Sequence, residues 1–189
     1  MRELRDILAA MEGLEELEGA VLASVVHTEG STYRRPGARL LVLPDDTMIG
    51  LISGGCLEGD LLARADEVRS TGRPRLIRYD ATRDDDVLWG LGLGCAGIVD
   101  VLLEPITNER RGPLGWLGAW RAACVSGAIA TSLEEEQLGK RWALHADGRL
   151  EGAPASDALR AALRDARARG RSRRLVTPEG VVAIEGGEP

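Results

Sequence analysis

The spacing of apolar residues predicts alternating helices and strands in the first half of the chain. Residues 2–17 repeat apolar side chains every three or four positions, which is typical of one helical face. The continuous apolar run Gly19–Thr28 predicts a buried strand, and Leu40–Ser53 predicts a hairpin. The same patterns predict another helix and two short strands, at residues 57–72, 73–80 and 97–105.

The second half repeats this order in a weaker form. The segment "GAIATS" at Gly127–Ser132 corresponds to "GAVLAS" at Gly19–Ser24. A second hairpin is predicted with Asp147-Gly148 at its turn. Ser156 is a suitable N-cap for the helix that follows. The order of elements therefore indicates a duplication, with the unusual glycine and cysteine motifs confined to the first copy.

These elements predict an α/β fold of the α+β kind, with a mixed sheet and flanking helices. We expect two degenerate repeats of helix, strand, hairpin, helix and strand, which share one sheet or pack about a pseudo-twofold axis. The predicted domains are residues 1–105, which carry the glycine and cysteine motifs, and residues 106–189, a degenerate second unit packed on the first. No Rossmann domain is predicted in either.

Charge and composition exclude several classes of protein. The formal net charge is −6 at pH 7 and 44% of the residues are hydrophobic, which is ordinary for a globular protein. No basic stripe of the kind that binds nucleic acid is present. No apolar run is long enough to span a membrane, and the charged N-terminus does not resemble a secretory signal. We therefore expect a cytoplasmic protein.

The segment Ser53-Gly54-Gly55-Cys56 places a cysteine after two glycines and directly before a predicted helix. Such glycines allow a positive φ or a close approach of a ligand to the backbone. A helix N-terminus presents unpaired N–H groups that bind anions and lower the pKa of a thiol. The alternative is a tight turn with a buried, unreactive cysteine, and this segment alone favours neither.

A second glycine-rich loop presents Cys95. The sequence from Gly92 through Gly94 and Cys95 to Gly97 matches the pattern G-x-G-x-x-G. That pattern binds a dinucleotide only with a strand before it and a helix after it. The residues after Gly97 instead predict a strand that stops at Pro105, so we reject a Rossmann motif here.

The loop after the first strand contains Ser31, Arg34, Arg35 and Arg39 in an otherwise acidic half of the chain. Guanidinium groups in a loop bounded by glycine and proline suit a phosphate or a carboxylate. Internal pairing with the acidic segment 80–86 is the alternative. Charge alone favours that alternative.

Together, these three stretches resemble the XdhC and CoxI family, the xanthine dehydrogenase accessory factors. The resemblance covers residues 8–105, and Ala96 stands where glycine is common in the family. Members usually continue into a C-terminal Rossmann domain, so we expect that domain as a separate polypeptide, or else a short member or fragment. The segments that carry the resemblance are Thr28–Ser31 with Pro36–Arg39, Ser53–Gly59 and Gly92–Gly97.

The resemblance implies a non-catalytic chaperone that binds molybdenum cofactor (molybdopterin) as cargo, protects it and delivers it. The implied client is an apo-molybdenum hydroxylase of the xanthine or CO dehydrogenase type. A sulfurase, a separate Rossmann-domain partner and a second copy of the chain are further implied partners. Molybdenum is thiophilic, which suits Cys56 as its contact. The residues implied to hold the cofactor are Ser31, Arg34, Arg35, Arg39, Ser53, Gly54, Gly55, Cys56, Gly92, Gly94 and Cys95.

Two other functions stay open at this point. The first is a thiol-dependent oxidoreductase or sulfur-transferase that uses Cys56 and Cys95, and a disulfide between them requires Cα atoms within about 7 Å. The second is a structural or interaction module whose glycines serve only tight turns. Replacement of both cysteines would leave such a module fully active.

Overall fold

The structure is a computed structural model that describes residues 2–13, 17–82, 97–109 and 111–187. It contains two compact units, Met1–Arg111 and Gly112–Pro189. The first unit consists of α1 (Arg2–Gly13), β1 (Ala20–Gly30), β2 (Arg39–Val42), β3 (Met48–Gly50), α2 (Glu58–Thr71), β4 (Arg75–Asp80) and β5 (Gly97–Ile106). The second consists of α3 (Leu114–Ala122), β6 (Gly127–Ser132), a 3-10 turn (Glu135–Gln137), β7 (Arg141–Leu144), β8 (Leu150–Gly152), α4 (Asp157–Arg169), β9 (Arg173–Thr177) and β10 (Gly180–Gly187).

The five strands of the first unit form one sheet in the order β3-β2-β1-β5-β4. The central strand β1 runs antiparallel to β5, from Ala20 opposite Ile106 to Gly30 opposite Gly97. Its pairing with β2 is shorter and ends where Ser24 lies opposite Arg39. Val25 adds two backbone hydrogen bonds to Gly37 and Ala38 of the following loop, and the last residues of β1, His27–Gly30, pair with β5.

The helix α2 covers one face of this sheet. Its inward residues Leu61, Ala65 and Val68 are at most 1% exposed, and their spacing places them on one helical face. The helix ends at Gly72, which has a φ of 64°, a conformation that glycine adopts without steric cost. The strand residues that complete this core alternate along β1, β2 and β5, as expected for one face of a sheet: Val21, Ala23, Val25, Leu40, Val42, Val101 and Leu103.

The second unit has the same arrangement, with strand order β8-β7-β6-β10-β9. Its helix α4 buries Leu159, Leu163 and Ala166 against the sheet. Ser156 is the N-cap, as predicted, and its Oγ accepts a hydrogen bond from the Leu159 N–H at 3.2 Å. The helix ends at Gly170, again in the left-handed region.

Matching residues in the two units show how closely the backbones correspond. Gly50 and Gly152 lie at matching ends of β3 and β8, with φ values of 104° and 117°. A Cβ at these glycines would lie 2.3 and 2.5 Å from a carbonyl oxygen of the paired strand. Arg39 and Arg141 begin β2 and β7, and each donates through Nη1 to the carbonyl two residues earlier, at 2.8 and 3.0 Å.

The structure confirms the α+β class with flanking helices. Each unit has its own sheet, which decides against the shared sheet that the sequence left open. All described strand pairs are antiparallel, whereas a mixed sheet was expected. Hairpins join neighbouring strands, and each long helix carries the chain to the far edge, where the next strand enters antiparallel to its neighbour. None of the described helices is long and apolar enough to cross a membrane.

Candidate functional site

The segment Ile52–Leu57, called the glycine turn below, leads from β3 into α2. The carboxylate of Glu58 folds back onto it, and Oε1 accepts hydrogen bonds from the N–H groups of Ile52 (3.2 Å) and Ser53 (2.8 Å). Oε2 accepts a hydrogen bond from the Ser53 hydroxyl. The Ser53 Oγ in turn accepts from the N–H groups of Gly55 (3.2 Å) and Leu57 (3.0 Å). One buried carboxylate thus organises the whole turn through a serine.

Two opposing influences set the pKa of Glu58. Burial, the larger single influence, raises it because the charged form is less well solvated. The hydrogen bonds from the hydroxyl and amide of Ser53 and the amide of Ile52 together outweigh burial, so the pKa lies below its usual value of 4.5. The carboxylate is therefore ionised at neutral pH and serves only as an acceptor.

Cys56 lies between the two residues whose amides are tied to Ser53. Its side chain is half-buried and packs against the core of the first unit. The preceding Gly55 has a φ of 110°, which side chains rarely allow. The helix begins at Glu58, one residue later than the start predicted from the sequence, and its N-cap Leu57 makes no side-chain cap. The residue is thus packed on the core and only partly exposed, between the two alternatives that the sequence left open.

A small pocket lies beside Cys56. Its enclosed free volume is about 20 Å³, which is room for about one water molecule. The residues that line it come from the loop after β1, the glycine turn, the end of β4 and the start of β5. Those used below are Tyr33, Arg34, Ser53, Cys56, Tyr79 and Gly97. The pocket thus joins two of the predicted motifs to the last glycine of the third.

Two of the three predicted arginines are committed to the protein itself. Arg34 forms an ion pair with Glu3 of α1, and the same carboxylate accepts a hydrogen bond from the Arg39 N–H at 2.9 Å. Arg39 is 6% exposed and makes the same contact as its counterpart Arg141, which indicates a structural role in both units. The predicted partner of these arginines was segment 80–86; the partner found for Arg34 is on α1.

Arg35 differs from both neighbours because its side chain is exposed. Within the described ranges this side chain has no hydrogen-bond or ion-pair partner. A guanidinium group of this kind retains all of its donors for an anion. Ser31 is also exposed. The loop between β1 and β2 is called the arginine loop below. Of the four residues predicted there, Arg35 and Ser31 are therefore the two that remain available to a ligand.

Gly97 marks a close approach between the start of β5 and the arginine loop. A Cβ there would lie 2.6 Å from the carbonyl oxygen of Ser31 and 2.7 Å from that of Glu29. Only glycine fits such a distance to backbone. The other residues predicted from this motif, Gly92, Gly94 and Cys95, lie outside the described residues, and their part in the site stays a prediction.

Two tyrosines of the pocket were not found from the sequence. The Tyr79 hydroxyl donates to Asp60 Oδ2 at 2.6 Å, and Arg64 donates to the same oxygen at 3.0 Å. Burial and then the bond to Asp60 raise the pKa of Tyr79 far above its usual value, so the phenol stays protonated. Tyr33 is 63% exposed, and its ring lies beside Gly54. The alternation along β4 marks Tyr79 as inward-facing, whereas no sequence signal marks Tyr33.

Metal-binding groups are sparse in this part of the molecule. Among the described residues, no group of three or more His, Cys, Asp or Glu side chains is arranged to hold a metal ion. Cys56 can contribute one thiolate ligand to a metal that arrives already coordinated by other groups.

Comparisons with known proteins show what part of the chain is similar to which family and relatives. Residues 14–80 match the model of the XdhC and CoxI family, which confirms the resemblance over that segment. A Bacillus subtilis (strain 168) protein, described as a probable xanthine dehydrogenase subunit, is 46% identical over 98 residues, covering 52% of this chain and 30% of that protein. The "Molybdenum cofactor insertion chaperone PaoD" of Escherichia coli (strain K12) is 32% identical over 101 residues, covering 53% and 31%.

The whole chain is also similar to a solved structure. A crystal structure described as a xanthine dehydrogenase from Bacillus halodurans superposes with a TM-score of 0.74 at 28% identity, covering 100% of this chain and 53% of that one. The chain therefore spans about a third of the length of the curated relatives and about half of the solved relative.

Proposed function

We propose that this protein is a maturation factor that binds molybdenum cofactor as cargo and delivers it to a molybdenum hydroxylase. The observation that carries the proposal is the pocket at Cys56, which is lined by residues of the glycine turn and of the arginine loop together. The family match over residues 14–80 and the name of the PaoD relative support it. The proposed role is insertion of a cofactor, which is the role that this name gives to that relative.

The size of the pocket limits how such a ligand would bind. An enclosed volume of about 20 Å³ accepts one or two atoms and excludes a pterin ring system. The body of the cofactor would therefore lie across the exposed rim formed by Tyr33, Gly54 and Gly55. An atom at its molybdenum end would enter beside Cys56.

The residues of the site would form two groups, those that bind the ligand and those that form the frame, which holds the site in shape. Cys56 supplies the thiolate for thiophilic molybdenum, and the exposed Arg35 and Ser31 bind the phosphate or pyrophosphate. Arg34, Arg39 and Ser53 would belong to the frame, because each side chain already makes an ion pair or a hydrogen bond within the first unit. Gly92, Gly94 and Cys95 remain proposed members of the site on sequence grounds.

The partners follow from the cargo. The client would be an apo-enzyme of the xanthine dehydrogenase or CO dehydrogenase type, as the name of the Bacillus subtilis relative suggests for that protein. A sulfurase, a Rossmann-domain polypeptide and a second copy of the chain complete the proposed set, and the cytoplasm is the proposed compartment.

The direct test is anaerobic co-expression with a molybdenum cofactor pathway, followed by assay of bound pterin, phosphate and molybdenum. We expect all three to co-purify with the wild type, and Cys56→Ala to lose most of the molybdenum. Cys124→Ala is the matched control, because Cys124 is an exposed thiol of the second unit. A wild type that never retains pterin at micromolar concentrations contradicts the proposal.

The rival function, a redox or persulfide pair of Cys56 and Cys95, is separated by thiol titration after mild oxidation. Loss of two thiols per chain together, with a peptide that links the two cysteines, favours the rival. Retention of both thiols favours the cargo site.

A further inference from the structure

We propose that Glu58 is a positioning residue that fixes the exposure of the Cys56 thiol through Ser53. The inference rests on the proposed function only for its consequence, retention of the cofactor; the positioning itself is a property of the free protein.

The contacts around Cys56 support this role. The amides of the residues on both sides of it, Gly55 and Leu57, are bonded to the Ser53 Oγ at 3.2 and 3.0 Å. The Ser53 hydroxyl and amide are in turn bonded to the Glu58 carboxylate. The backbone that carries the thiol is thus tethered on both sides to one hydroxyl, and that hydroxyl is oriented by one carboxylate.

The second unit shows that this is not the usual use of such a pair. There, Ser156 caps its helix by accepting from Leu159, and the Glu179 carboxylate supports it by accepting from the Ser156 amide and hydroxyl. In the first unit the serine lies farther upstream, and the N-cap of α2 has no side-chain cap. In the first unit the serine–carboxylate pair therefore lies in the turn that holds the cysteine and not at the helix N-cap.

The expected effect is a change in the reactivity of one thiol. In Glu58→Gln one carboxylate oxygen becomes an NH₂ group that cannot accept from Ser53, so the turn opens more often. Loss of one charge-assisted hydrogen bond makes a local opening about tenfold more frequent. We expect iodoacetamide to alkylate Cys56 about tenfold faster, measured by peptide mass spectrometry on the cofactor-free protein. The rate at Cys124 in the same sample is the internal reference.

A second variant tests whether Glu58 acts through Ser53. Ser53→Ala removes the link between the carboxylate and the two amides. It should therefore accelerate the alkylation of Cys56 as much as Glu58→Gln does. The double variant should react no faster than either single variant, because both changes break one chain of contacts. Ser53→Ala also keeps the proposal testable if Glu58→Gln does not fold.

Glu179→Gln is the matched control, since it weakens the equivalent pair in the second unit and leaves the glycine turn intact. We expect it to leave the Cys56 rate unchanged. An unchanged or slower Cys56 rate in folded Glu58→Gln and Ser53→Ala overturns the inference, as does equal acceleration by Glu179→Gln. Because no cofactor is used, these outcomes are independent of whether the wild type binds molybdopterin.

Discussion

The two units build the same corner of their sheets and fill it differently. In each, the corner lies between the end of the central strand, the start of the strand paired with it, and the N-terminus of the long helix. In the second unit the turn Pro178-Glu179 joins β9 directly to β10. Carboxylates of Glu134 and Glu179 fill this corner by binding the amides of Val181 and Ser156.

In the first unit the corner holds a thiol instead. The chain takes residues 81–96 to pass from β4 to β5, and β1 runs on to Gly30 while β6 stops at Ser132. The carboxylate that binds the glycine turn, Glu58, is turned inward and leaves Cys56 at the pocket. A shared frame thus supports a corner filled by carboxylates in one unit and a corner with a pocket at Cys56 in the other, where we propose that the ligand binds.

The largest expected effect comes from closing the approach at Gly97. Gly97→Ala places a Cβ within 2.7 Å of two carbonyl oxygens of the first unit, so backbone must move. We expect a loss of about 2–3 kcal/mol in the free energy of unfolding, measured in urea. Gly13→Ala is the control, since nothing lies within 4 Å of its added Cβ. Equal free energies of unfolding for the two variants would contradict the close approach of backbone at Gly97.

Loss of the hydrogen bonds of the Glu58 carboxylate should have the next largest effect on stability, and this effect should depend on pH. Glu58→Gln is expected to lower the free energy of unfolding by about 2 kcal/mol at pH 7. The folded-state pKa of Glu58 is lowered, so its stabilisation is complete above its usual pKa of 4.5 and is lost as the pH falls through the lower folded value. The difference between wild type and variant should therefore shrink below pH 4.5. A difference that grows on acidification contradicts this.

The ion pair between Glu3 and Arg34 should matter less. Both side chains are partly exposed, and such pairs contribute about 1 kcal/mol or less. Glu3→Gln should therefore lower stability by about this amount, and the loss should fall in high salt because ions screen the pair. Urea unfolding at low and high salt measures it. If Glu3→Gln lowered the free energy of unfolding equally at low and high salt, the ion pair with Arg34 would not be the source of the lost stability.

The smallest effect on stability is expected at Arg35, although its replacement should affect binding of the cofactor. Its side chain is exposed and lacks a described partner, so Arg35→Ala should change the free energy of unfolding by less than about 0.5 kcal/mol. Retention of pterin phosphate should nevertheless fall. The control is Arg149→Ala in the second unit. If both variants retain the cofactor like the wild type, Arg35 is not part of the site.

Local patterns and long-range contacts differ in how well the sequence predicts them. The helix end at Gly72 and the N-cap at Ser156 were predicted, because each depends on residues within one or two turns of chain. The pairing of Arg34 with Glu3 was not, because those residues are far apart in sequence and meet only when α1 packs beside the loop. The hydrogen bond from Ser53 to Glu58 is local and was missed for a different reason: a serine before two glycines suits a ligand as well as a neighbouring carboxylate.

The central claim is that the corner of the first unit, at Cys56, holds the ligand. Alkylation of the three cysteines in cofactor-loaded and cofactor-stripped protein, resolved by peptide mass spectrometry, tests it most directly. We expect strong protection of Cys56 in the loaded protein and no change at Cys124. Equal alkylation of Cys56 in both samples, with protection at Cys124, would contradict it.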